Sequence, residues 1–143
     1  MAVRYNKSIF LKQVTKLVNS RPVKKMMQAR AQKEFDARKT KLMREFRDHK
    51  VTQEILSGPG SDNPSGTLTG RGNLFTFIGF PEASDPINSL YYALERGITM
   101  NKTPQVTKQK KGATYSFKIF IPDNQDFITV APMPWERGRS WVT

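Results

Sequence analysis

The sequence predicts an α+β protein: a small, mostly antiparallel sheet packed by helices, led by a long basic N-terminal helix. Three observations carry this. Val23, Met27, Ala31, Phe35, Leu42 and Phe46 recur close to multiples of 3.6 among good helix formers. Asp85 and Pro86 precede Ile87, Leu90, Tyr91 and Leu94, and Gly97 follows, the pattern of a capped amphipathic helix. Three stretches, "NLFTFIGF", "ATYSFKIFIPD" and "DFITV", alternate or cluster β-branched and aromatic residues as strands do. At 143 residues the chain fits a single domain of the usual ~100–200 residues.

Taken in order, "SIFLKQVTKLVNS" sets Ile9, Phe10, Val14, Leu17 and Val18 on one helical face against Lys12 and Lys16, a short amphipathic helix. Ser20 is placed to cap the next helix and Pro22 falls in its first turn, where a missing N–H costs nothing. That long helix runs to about His49, and residues 1–56 form a basic helical part. Residues 57–72 hold five Gly and two Pro in 16 positions with no apolar periodicity, so they are a loop. A structureless loop longer than ~12–15 residues is uncommon in a compact domain, so this one is expected to be functional or to order on a partner.

Residues 73–131 follow as the strand–helix–hairpin core. Its first strand is "NLFTFIGF", with Phe75 and Phe77 on one face, Leu74, Thr76 and Ile78 on the other, and both faces buried. Tyr115, Phe117, Ile119 and Ile121 mark a half-buried strand, Phe127 to Val130 a second, and Asp123-Asn124 the turn of a hairpin joining them. Residues 132–143 form a C-terminal arm.

Charge is unevenly spread. Residues 1–50 hold 15 Lys or Arg against 4 Asp or Glu, a net +11, whereas residues 51–143 hold 9 against 8. Such a block meets a polyanion or an acidic protein surface, or is the solvated back of a helix. No Cys occurs, which removes disulfides and thiolate metal sites. The longest apolar runs fall short of the ~20 residues of a membrane span, and "MAVRYNKSIFLKQ" lacks an apolar signal core, so a soluble, untargeted protein with no membrane partner is expected.

Catalytic groups are sparse. His49 is the sole histidine, and the carboxylates after residue 50 are scattered without ligand spacing, so no enzyme activity, metal or cofactor is expected. Gly66 to Arg71 lacks the Gly-Lys pair of a P-loop, and Gly70-Arg71-Gly72 has Phe75 where the dinucleotide fingerprint needs its third Gly. The +12 net charge is the footprint of nucleic-acid binding, yet no base-reading module is present and the basic residues circle the long helix.

"GTLTGRGNLFTFIGFPEASDPINSL" (66–90), preceded by Phe46 and "DHKVTQEIL", together with the closing "PMPWERGRSWV" (132–142), resembles a family of small virion proteins at the neck or tail end of tailed bacteriophages: tail-completion, tail-terminator or head-to-tail connector proteins. The resemblance implies a non-enzymatic subunit of a homo-oligomeric ring, a hexamer in expectation, assembled in the host cytoplasm and lodged in the virion. Its implied partners are neighbouring connector and tail-tube proteins, with non-specific contact to genomic DNA. In the family further chain follows the Arg139-Ser140-Trp141 segment, whereas this sequence stops at Thr143.

Trp135, Arg137, Arg139 and Trp141, with Arg71, are the expected interface anchors, because buried aromatic and Arg side chains dominate such contacts. Set beside this, both Trp could instead cover the domain's own core. Arg21, Lys24, Lys25, Arg30, Arg38 and Lys41 are the expected contacts of the basic helix with the adjoining ring or DNA. The alternative function is a monomeric accessory protein that binds RNA or DNA without sequence preference.

Overall fold

The structure is a computed structural model and describes residues 7–109 and 112–142. It is α+β, with six helices and two two-stranded sheets among the described residues. In chain order these are α1 (Lys7–Val18), α2 (Arg21–Asp48), α3 (Lys50–Leu56), α4 (Leu74–Ile78), α5 (Pro86–Gly97), β1 (Thr99–Met100), β2 (Gln105–Gln109), β3 (Gly112–Ser116), β4 (Ile119–Phe120) and α6 (Asn124–Val130). No helix among the described residues is long and apolar enough to cross a membrane.

The chain forms two compact units that cut across the linear division at residues 56, 72 and 131. Unit 1 joins Met1–Ala37 with Met100–Ile119, and unit 2 joins Arg38–Thr99 with Phe120–Thr143. The long helix α2 contributes to both.

In unit 1, β2 and β3 pair antiparallel, with Val106 opposite Tyr115 and Gln109 opposite Gly112. α1 lies against β3, half-burying Val14 and Val18, and the Tyr115 hydroxyl donates to the Val18 carbonyl at the helix end. Val23, Met27, Ala31 and Phe35 make the half-buried stripe of α2, as their spacing predicts. No described residue of this unit is fully buried.

Unit 2 holds the core. Ile55 of α3, Phe75 of α4, Phe80 and Ile87 of α5 pack together, with Phe46, Val51, Leu74, Ile78 and Trp141 around them. Phe75 and Phe80 rings lie 5.4 Å apart, and Trp141 meets Phe80 edge-on at 5.3 Å, the geometry that aromatic quadrupoles favour. Asp85 caps α5 by accepting from the Asn88 amide, with Pro86 in the first turn. At the other end of α5, Lys39 Nζ donates to the carbonyls of Glu95 and of Ile98, the latter at 2.9 Å, placing a cation at the negative pole of the helix.

Three strand expectations are corrected. "NLFTFIGF" is not a strand but the five-residue helix α4: the Asn73 side chain accepts from the Thr76 amide at one end, and Gly79 closes the other at φ +85. Phe127 to Val130 lies in α6, whose capping box pairs Asp123 with Asp126, so Asp123-Asn124 begins a helix rather than turning a hairpin. The predicted strand from Tyr115 to Ile121 is two short pieces, β3 and β4, and the hairpin of the fold is β2–β3. For α4 and α6, side-chain capping of a short helix overrides a β-rich composition.

Candidate functional site

The expected anchor residues Arg71, Trp135, Arg137, Arg139 and Trp141 all lie in unit 2, whose geometry starts from one carboxylate. Glu54 on α3 is completely inaccessible to solvent, and its hydrogen-bond partners are neutral. Its Oε1 accepts from Asn63 Nδ2 (2.8 Å) and from the Leu74 amide (2.7 Å), and its Oε2 accepts from the Ser65 amide (3.1 Å). Burial pushes its pKa up, but hydrogen bonds from Ser65, Asn63 and the Leu74 amide outweigh this and hold it below its ordinary value of 4.5.

Two asparagines extend the scaffold. Asn63 Oδ1 accepts from the amides of Leu68 (3.1 Å) and Gly70 (3.3 Å). Asn73 Nδ2 donates to the carbonyls of Pro59 (2.7 Å) and Ser61 (2.9 Å) while its Oδ1 caps α4. Glu54, Asn63 and Asn73 together thus tie the glycine-rich loop 57–72 to α3 and to the start of α4. Thr67 is the one loop residue lining the groove described below.

The C-terminal segment folds back on itself. Pro132 and Ser140 face each other in an antiparallel bridge, the Met133 amide donates to the Arg139 carbonyl at 2.9 Å, and the Trp141 amide donates to the Ala131 carbonyl at 3.1 Å. The buried Ser140 hydroxyl donates to the same Ala131 carbonyl. This fold-back separates the two tryptophans. Trp141 turns inward onto Phe80 and serves the unit's own core. Trp135 is 65 % exposed, pinned at one edge where its Nε1 donates to the Ile78 carbonyl at 2.6 Å.

Phe77, one residue before Ile78, is 71 % exposed. Phe77 and Trp135 thus both hold large aromatic side chains in solvent. Arg71, Arg137 and Arg139 are exposed as well, and Arg139 reaches Glu136 at 3.4 Å.

The same unit carries an open apolar groove of about 630 Å³ between α2, α3, α4 and α5. Leu42, Phe46, Ile55, Leu74, Leu90 and Trp141 line it, with Glu45, His49 and Thr67 among the polar groups at its wall. His49 therefore borders a largely hydrocarbon surface. Among the described residues no group of three or more His, Asp or Glu is arranged to hold a metal ion.

The predicted basic contacts divide between the units. Arg21, Lys24, Lys25 and Arg30 stand on the unit 1 part of α2, and Arg38 and Lys41 on its unit 2 part, where Lys41 pairs with Glu45 at 3.5 Å. All but the half-buried Lys24 are exposed. Two further cations have structural work that the sequence pattern does not signal: Lys39 at the end of α5, and Arg47, whose guanidinium lies 4.7 Å from the centre of the Tyr91 ring. Neither has a local signal, because each partner stands far along the chain. Nor does the pattern mark Phe77 as exposed, since a strand would place it on a buried face.

Comparison with protein-family models, with curated proteins and with solved structures gives no match to this chain.

Proposed function

We propose that the chain is a structural, non-catalytic subunit of a tailed-phage virion, placed at the neck or tail end, that closes into a ring joining the head connector to the tail. One observation carries the reading. The segments that resemble small phage neck and tail-completion proteins, Phe46 with 48–56, 66–90 and 132–142, pack against one another in unit 2, although Trp135 stands 57 residues from its partner Ile78. Glu54 holds Leu74, Trp135 holds Ile78, and Trp141 stacks on Phe80.

That unit offers two surfaces suited to assembly. Phe77 and Trp135 are exposed aromatics with Arg71 and Arg137 also in solvent, and aromatic and Arg side chains dominate interface energetics. The apolar groove is a second surface of the same unit. A subunit carrying two different sticky surfaces associates head to tail, and such contacts form a ring when their rotation closes. Both surfaces are centred on apolar side chains, so the ring is held by apolar burial and persists in salt.

Light scattering on the purified protein tests the assembly. The wild type is expected at about six times the 16.4 kDa chain mass. Phe77→Ser combined with Trp135→Ala is expected to run as a monomer with unchanged circular dichroism. A double variant that still forms the full ring overturns the assignment of the interface. Antibody labelling of virions tests the placement: label at the head–tail junction is expected, and label on the capsid shell contradicts it.

A further inference from the structure

We infer that unit 1 is a docking surface for the phosphate backbone of duplex DNA, bound without regard to base sequence. This goes beyond ring formation and does not depend on it. The first support is how folding partitions the charge. By sequence, unit 1 contains 14 Lys or Arg against 2 Asp or Glu, a net +12, while unit 2 contains 10 against 10. The whole excess charge of the protein thus belongs to the smaller unit. Folding brings Lys102, Lys108 and Lys118 into the same unit as the N-terminal cations and assigns Arg38 to Lys50 to the neutral unit.

The second support is energetic. No described residue of unit 1 is buried, whereas in unit 2 Lys41 pairs with Glu45 and Arg139 with Glu136. Self-repulsion of this density opposes the compact state, with little apolar burial to offset it. A partner dense in negative charge removes that repulsion. Duplex DNA supplies one charge per ~1.7 Å of axis, far denser than an acidic protein face.

The third support is the direction in which the cations point. At 3.6 residues per turn, the exposed Arg21, Lys25, Arg30 and Lys33 of α2 spread over about half the helix circumference, the rest being the Val23–Met27–Ala31–Phe35 stripe. A planar anionic membrane rewards cations on one side of a helix; the phosphates lining both walls of a DNA groove reward this wider spread. The B-form major groove is about 12 Å wide and admits a helix, whereas the deep, narrow groove of A-form RNA does not. No base-reading module is legible in the sequence, which leaves charge as the source of affinity.

The test is fluorescence anisotropy of the full-length protein with a random-sequence 24-base-pair DNA duplex, compared with a duplex RNA of equal length and with phosphatidylserine vesicles. The expected result is DNA binding that falls by about 10³-fold or more between 50 and 200 mM salt. Neutralising four exposed cations of unit 1 (Arg21→Gln, Lys25→Gln, Arg30→Gln, Lys33→Gln) is expected to flatten the log–log salt slope by about 0.9 for each phosphate no longer neutralised. Neutralising four in unit 2 (Arg38→Gln, Arg44→Gln, Lys50→Gln, Arg96→Gln), none of them on the proposed ring interface, changes net charge equally and is expected to leave the slope unchanged. If the unit 1 quadruple variant unfolds, as judged by circular dichroism, Arg30→Gln and Lys33→Gln taken singly carry the same comparison.

Absence of DNA binding at 50 mM salt, equal weakening in both quadruple variants, or tighter binding to RNA or vesicles each overturns the inference. The mass measurement separates it from the ring reading. A monomer that binds DNA in this way removes the neck assignment and leaves the docking surface standing; a ring indifferent to DNA does the reverse.

Discussion

Glu54 shows what a single residue does here. A carboxylate with no accessible surface survives among neutral partners because amides and an asparagine fill its oxygens, and in doing so it ties α3 to the glycine loop and to the first amide of α4. Glu54→Gln puts an N–H₂ where an acceptor is needed, so one buried donor is stranded, and thermal or denaturant unfolding should show a decrease of about 2 kcal/mol. The pH dependence has a definite sign. Folding lowers this pKa, so the stability Glu54 adds is complete above the unfolded value of 4.5 and disappears as pH falls through the lower folded value. Melting temperature should therefore fall less steeply below about pH 5 in Glu54→Gln than in the wild type. Gly97 matters for space: a Cβ there would collide with the Pro122 ring. Gly97→Ala should lower stability by about 1–2 kcal/mol, despite the better helix propensity of Ala, as a urea titration would register.

Elements were legible where a period or a pair of caps stood in the sequence. α1, α2 and α5 match their predicted stretches because each runs long enough for apolar spacing to repeat, and Asp85, Pro86 and Gly97 mark α5 at both ends. α4 and α6 are too short to establish a period, and their β-rich content, "LFTFI" and "FITV", outweighs the signal that decides them. That signal was present: Asn73 and Gly79 bracket α4, and Asp123 with Asp126 three residues on is a capping box before an apolar run. β2 lay in a polar stretch rich in Lys and Thr, whose strand character comes from pairing with β3 rather than from its own pattern. If capping decides α6, Asp123→Ala should cost about 1 kcal/mol, and chemical shifts of 124–130 should move toward coil with the α5 shifts unchanged. Retained helical shifts would assign α6 to tertiary packing instead.

For the whole molecule, the division into a charged unit without buried residues among those described and a neutral unit with the core was not readable along the chain, because each unit is discontinuous. The block of residues 1–50 approximates the charged unit but includes Arg38 to Lys50 and omits the lysines between 102 and 118. Of the expected anchors, Trp135, Arg137 and Arg139 lie in solvent whereas Trp141 packs on Phe80, a distinction made by the fold-back from Ala131 to Ser140 that no local pattern signals. Uneven burial implies uneven stability. Amides of β2, β3 and α1 should exchange with solvent at least about tenfold faster than those of α3 and α5, measured by hydrogen exchange, and uniform protection would contradict the division. The central claim, assembly through apolar surfaces of unit 2, is tested most directly by the mass of the purified protein in 1 M salt. The account expects a closed multimer that persists there; a 16.4 kDa monomer at every protein and salt concentration would contradict it.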